Sequence, residues 1–296
     1  MANTTNIQWC DTTVNPIMGC LGCELWGTLR KSCYAGVMTG RFAGRPGWPT
    51  EFTKPIRTPG RTAQVARLPD LAGSARPGKP WLDGMPRLIF VSDMGDAFTM
   101  PNDDDLDYLF REVILVACAG PGRRHVWLWL TKRPAMFRVF AKWLAVKPGI
   151  EWPANVWMGT SVTDDRTTVR ARSLADVPVD VTKFVSVEPQ IGPVVAVDIA
   201  HAADWVIHGG ESGQDARPFD VGWVEDFNTA CIDEGVPYFV KQLGARPIYD
   251  GYTYYPDRPL HDSHGGDWDE WDVNMQVREV PRERALACTG HAEVTT

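Results

Sequence analysis

Seven short apolar runs, rich in β-branched and aromatic residues, recur along the 296 residues, with helix-like stretches between many of them. They are Thr5–Thr13, the weakest, then Arg87–Ser92, His125–Thr131, Asn155–Val162, Lys183–Glu188, Asp204–His208 and Pro237–Lys241. Several are continuous rather than alternating, the pattern of parallel strands buried on both faces. Between them, Asp103–Cys118 repeats Leu106, Leu109, Phe110, Val113 and Leu115 near a 3.6-residue period, and an acidic first turn opens at Pro101-Asn102-Asp103. Pro134–Val146 and Gly222–Glu234 also read as helices, with Gly235 placed to stop the second. Strand and helix in alternation predict an α/β fold on a parallel sheet.

The strand ends choose between sheet types. Ser92-Asp93-Met94-Gly95-Asp96, Thr131-Lys132-Arg133, Thr160-Ser161-Val162, Glu188 and Gly209-Gly210-Glu211-Ser212 are polar or glycine-bearing clusters, each closing an apolar run. In a β/α barrel such C-terminal ends converge on one mouth, where active sites are built. A parallel, partial β/α barrel over residues 1–244 is therefore expected. Two segments break the alternation: a Gly-, Pro- and Arg-rich insertion at about 36–86, after the first strand, and a C-terminal extension at 245–296. The extension holds Tyr249, Tyr252, Tyr254, Tyr255, Trp268 and Trp271 among acids, and reads as a cap followed by a frayed tail.

Charge is unevenly spread. The chain carries a net charge of −7, yet Arg30–Pro80 holds ten Lys or Arg against Glu51 and Asp70. Such a segment suits a polyanion, or is merely a solvated loop. The longest apolar runs are core-sized, so no membrane span is expected. An odd number of irregularly spaced cysteines, seven in all, with no leader-like start, places the chain in a reducing cytoplasm.

Three of those cysteines, Cys20, Cys23 and Cys33, fall within fourteen residues just after the first strand. Three thiolates from one loop suit a soft metal centre, an iron–sulfur cluster or zinc. A structural zinc site takes four protein ligands; Cys10 is the one fourth candidate nearby, and the first histidine is His125. Three ligands on a cubane leave one iron open, so a [4Fe–4S] cluster is the preferred expectation.

The succession Asn-Pro-x-x-Gly-Cys (Asn15–Cys20), Cys33-Tyr34-Ala35, Phe-Val-Ser-Asp-Met-x-Asp (Phe90–Asp96), Leu-Thr-Lys-Arg-Pro (Leu130–Pro134), Ser-Val-Glu-Pro-x-x-Gly-Pro (Ser186–Pro193), Gly-Gly-Glu-Ser-Gly (Gly209–Gly213) and Val-Lys-Gln-Leu-Gly (Val240–Gly244) resembles a phage and bacterial three-cysteine-motif family of unknown function, DUF5131-type. That family is similar to a divergent branch of the radical S-adenosylmethionine (SAM) superfamily, nearest to spore photoproduct lyase. The superfamily loop is Cys-x3-Cys-x2-Cys, whereas this chain has Cys-x2-Cys-x9-Cys.

The resemblance implies that Cys20, Cys23 and Cys33 bind a [4Fe–4S] cluster whose open iron takes SAM, which an external electron donor helps cleave to a 5′-deoxyadenosyl radical. It implies cofactor-binding roles for Ser92, Asp93, Asp96, Arg133, Ser161, Glu188, Gly209 and Gly210, and catalytic roles for Lys132, Glu188, Glu211 and Lys241. Gly209 and Gly210 would admit close approach of a ligand to backbone. Against each stands a structural role: a rim salt bridge, or for Ser161 and Ser212 a helix cap. Trp127, Trp129 and Trp157 read as packing. The expected substrate is a nucleic acid or nucleobase, in DNA modification or repair within a bacterial host cell. The alternatives are a small metabolite or peptide substrate, and a zinc-stabilised, non-catalytic nucleic-acid-binding protein.

Overall fold

The structure is a computed structural model that describes residues 5–27, 32–99, 102–254 and 260–291. Arg30, Lys31, Pro101 and Tyr255 lie outside the described residues. Seven strands form one sheet in sequence order: β1 (Thr12–Val14), β2 (Leu88–Val91), β3 (Val126–Thr131), β4 (Val156–Ser161), β5 (Lys183–Val187), β6 (Trp205–Gly209) and β7 (Tyr238–Gln242). The pairs β1·β2, β2·β3, β5·β6 and β6·β7 are parallel. The strictly sequential order is that of a partial β/α barrel; a doubly wound sheet reverses its order at a switch point.

The first strand is shorter than its apolar run. The Lys79 ammonium donates to the carbonyls of Thr5, Ile7 and Cys10 at 2.7–2.8 Å, and the Trp81 indole to that of Gln8. Side chains thus take the acceptors that a longer ladder would need.

Helices return the chain between strands. The helix α1 (Tyr34–Phe42) follows the cysteines, and α2 is Arg61–Ala66. Helix α3 opens at Asp103–Leu109, passes through a π turn at Phe110–Ile114 and closes at Leu115–Cys118. The Asn102 side chain accepts from Asp105 N–H, and three aspartates in the first turn face the positive end of the helix dipole. Helix α4 (Ala135–Ala145) buries Phe137, Phe140 and Leu144 at spacings of three and four, while Val139 faces water. Then come α5 (Val169–Ala175), α6 (Ala196–Ala200) and α7 (Gly222–Glu234), the last ended by Gly235 in the left-handed region at φ 66°. Among the described residues, no helix is long and apolar enough to cross a membrane.

The chain divides into two compact units, Met1–Met158 with Val177–Val181 and Arg282–Thr296, and Gly159–Asp176 with Thr182–Pro281. One boundary falls inside β4. In the first unit Val126, Trp127, Leu128 and Trp129 are wholly buried, and Phe98, Phe137 and Phe140 pack around Trp129. In the second, Phe184, Trp205, Phe227 and Phe239 fill the same role. Burying each such side chain contributes about 1.5–3 kcal/mol.

Among the described residues, the insertion and the C-terminal extension make contacts that their composition does not announce. Ile56–Arg57 pairs antiparallel with Ile17–Met18. Arg57 binds Asp105 and Arg76 binds Asp11, both at 2.6–2.7 Å, Lys54 pairs with Glu51, and Arg61 donates to the Gly47 carbonyl. In the tail, Arg282–Thr289 forms helix α8, and His291 meets Asp70 at 2.7 Å.

Candidate metal centre

The cysteine loop is built by the end of β1. The Asn15 amide donates to Asp93 at 2.5 Å and accepts from Met94 N–H at 2.8 Å, tying the two strand ends together. The chain then rejoins the ladder at Gly19, which bridges Gly95: Gly19 N–H donates to the Met94 carbonyl and Asp96 N–H to the Gly19 carbonyl. A Cβ on Gly95 would stand 2.4 Å from the Gly19 oxygen, so no side chain fits there. Cys20 N–H donates to the Phe52 carbonyl and Leu21 N–H to Thr99 Oγ1. Cys23 and Trp26 exchange a pair of backbone hydrogen bonds, and the Trp26 ring lies where a Cβ on Gly36 would be, at 2.5 Å. Cys33 is the N-cap residue of α1, with extended backbone.

Each thiol is met by donors. Gly22 N–H approaches Cys20 Sγ at 3.4 Å, and Arg133 Nη1 approaches it at 3.6 Å. Burial pushes the Cys23 thiol up, and Glu24 and Cys33 add to this, while Lys132 and Leu25 N–H oppose it. Burial likewise raises Cys33, against the N–H groups of Gly36 and Ala35 at the start of α1 and against Lys132; Cys20 acts in the raising direction. Cys33 is thus within electrostatic reach of both other thiols. Cys10 lies beyond the opposite end of β1, with Lys79 on its carbonyl.

Among the described residues, no three His, Cys, Asp or Glu side chains converge on a point fit for a single metal ion. A cubane spreads its thiolates around a body instead, and these three soft donors, met by cations and N–H groups, have the chemistry of such a ligand set.

Asp96 organises the adjoining strand ends. Its carboxylate accepts from Phe98 N–H, Thr131 Oγ1, Lys132 N–H and Arg133 Nη1, at 2.7–3.1 Å. Ser92 and Asp93 differ from it. Ser92 has φ 80°, rare outside glycine, and its buried hydroxyl has no partner among the described residues. Burial pushes the Asp93 carboxyl up, and the side chains that donate to it, Asn15 and Thr13, are neutral. Lys132 stands 3.9 Å from Glu24.

The second unit holds the remaining candidates. Lys241, at the end of β7, donates to Glu188, which follows β5, and both are largely buried. Glu211 forms a two-pronged pair with Arg217, at 2.6 and 2.7 Å, and also accepts Arg217 N–H. A Cβ on Gly209 or Gly210 would meet the backbone oxygens of Gln242 or Leu243 at 2.8 and 2.5 Å. The close approach that these glycines permit in this structure is to the last residue of β7 and the one after it. Ser161 is buried and its carbonyl accepts from Arg170; the cap of the following turn is Asp164, in a capping box with Thr167. Ser212 is exposed. Trp127, Trp129 and Trp157 have no exposed surface.

The family described as "Protein of unknown function (DUF5131)" matches residues 4–283. The chain belongs to this family. No curated protein and no solved structure matches it. Membership spans the cysteine loop and every strand end described above.

Sequence reasoning passed over Asn15 as a structural clamp, and over a buried chain in the second unit. His208 has no exposed surface; its Nε2 donates to Gln190 Oε1 at 2.5 Å and its Nδ1 accepts from the Tyr238 hydroxyl at 2.7 Å. The Gln190 amide fixes this tautomer, because its Nε2 donates to the Gly192 carbonyl. Gln190 N–H also donates to the Gly209 carbonyl, so the segment bearing Glu188 is anchored to β6. A lone histidine in an apolar strand before Gly-Gly was the available signal.

Proposed function

We propose that this protein is an iron–sulfur enzyme of the radical SAM type. The observation that supports the reading is the grouping of three thiols with Lys132, Arg133 and a set of backbone N–H donors. Cys20, Cys23 and Cys33 would hold three irons of a [4Fe–4S] cluster and leave the fourth for SAM. When bound, the cluster supplies the electron for reductive SAM cleavage, delivered to it by an external donor. Ser92 and Asp93 would receive the ammonium of the SAM methionine moiety: a buried carboxylate with neutral donors gains most from a cation. Lys132 and Arg133 would offset the charge of three thiolates. Asp96, its acceptors taken, is a positioning residue. Ser161 and the Glu188–Lys241 pair keep the polar-contact roles that the resemblance implies, and Glu211, paired with Arg217, is the weakest of the set.

The test is anaerobic purification with iron and sulfide counted, then an absorbance spectrum. A brown protein with about four irons, which lose their site when Cys20, Cys23 and Cys33 become alanine, carries the reading to an assay of 5′-deoxyadenosine release. A colourless protein with stoichiometric zinc would defeat it and favour a binding module.

Nucleic acid or nucleobase is the first substrate class and a small metabolite or peptide the second. One observation favours the second: Lys54, Arg57, Arg61, Arg76 and Lys79 of the basic insertion all engage groups of the protein itself. Phosphate contacts weaken steeply with added salt, so affinity measured against salt separates the two.

A further inference from the structure

The guanidinium of Arg133 makes three contacts at once. Nη1 donates to Asp96 Oδ2 at 2.7 Å and lies 3.6 Å from Cys20 Sγ, and Nη2 donates to the Gly22 carbonyl at 3.1 Å. The side chain is largely buried. Its anchor is itself immobilised, because Asp96 is also held by Phe98, Thr131 and Lys132. The Gly22 carbonyl sits between Cys20 and Cys23, and Gly22 N–H points at the same Cys20 sulfur. A planar fork fixed at two points presents its charge to the third contact with little loss of freedom.

We propose that Arg133, aimed by Asp96, sets the reduction potential of the three-cysteine centre by donating to Cys20 Sγ. This rests on the iron–sulfur reading. It assigns Arg133 to a cysteine ligand, where the resemblance implied direct contact with SAM. Reduction adds negative charge to the cluster and its sulfurs, so a fixed cation and an N–H donor at one sulfur favour the reduced form and raise the potential. Asp96 contributes by orientation.

The experiment is a redox titration, followed by electron paramagnetic resonance, of reconstituted wild-type protein and of Arg133→Gln and Arg133→Lys, without SAM or substrate. Arg133→Gln is expected to keep the wild-type iron and sulfide content but to shift the reduced-to-oxidised ratio about tenfold toward oxidised, about 59 mV lower for a one-electron couple. Arg133→Lys keeps the charge beside Asp96 but not the fork, and should fall between the two. If Arg133→Gln does not load, the lysine variant decides. Wild-type potential in a loaded variant would overturn the proposal while leaving the iron–sulfur reading intact. Loss of iron from both variants, with secondary structure retained, would make Arg133 a structural prop and overturn the tuning role. Wild-type protein that binds no cluster would overturn both.

Discussion

Acid should destabilise this protein through His208 in particular. The imidazole is wholly buried between Gln190 and Tyr238, and burial lowers its pKa to about 3. In the unfolded chain it titrates near 6.5. Above that value neither state is protonated and the group is neutral in the balance. As pH falls below about 6.5 the unfolded chain takes up a proton that the folded chain refuses, so stability is lost until the folded value near 3 is reached. At pH 5 the loss from this one residue is about 2 kcal/mol, with a local slope of about 1.4 kcal/mol per pH unit. Urea unfolding of wild type and His208→Gln, at several values between pH 7.5 and 5, isolates the effect. The variant starts less stable, and the quantity to read is the gap between the two curves, which should narrow by about 2 kcal/mol over that range. Parallel curves would refute a neutral, buried imidazole at this position.

Arg76→Met leaves Asp11 buried without its cation and should cost about 3–5 kcal/mol; a thermal melt in which Asp11→Asn restores much of the loss checks the pairing. Gly95→Ala places a Cβ against the Gly19 oxygen and should displace the cysteine loop, costing about 1–3 kcal/mol. The control is Gly40→Ala in α1, where a Cβ meets nothing within 4 Å and unfolding should occur at equal or higher urea.

The strands were legible because their residues are buried on both faces, which leaves continuous runs such as Val126–Leu130 that periodicity can find. The helix α7 was legible for a related reason: Val224, Phe227 and Cys231 mark its inner stripe and Gly235 its end. What escaped was contact across long separations. Asn15 works through Asp93, 78 residues away, and His208 through Gln190 and Tyr238. The partners within the basic insertion were hidden for the same reason, since nothing local in Arg57 or Arg76 announces Asp105 or Asp11. Polar strand ends stand out in the sequence, but their chemistry depends on which partner each has. Asp93 has neutral donors and Asp96 binds Arg133, although only Met94 and Gly95 lie between them.

Cys33 both caps α1 and supplies the third thiol. As an N-cap it is a poor choice: the Ala35 and Gly36 N–H groups approach its sulfur without reaching full hydrogen-bond geometry, and serine or aspartate would hold the first turn better. A ligand bound there would supply the missing restraint. Nucleation of the helix and occupancy of the centre would then be one event, with the free energy of each appearing in the other. On the iron–sulfur reading proposed above, a chain short of iron would present a loosened first turn, and proteolytic turnover would follow metal supply.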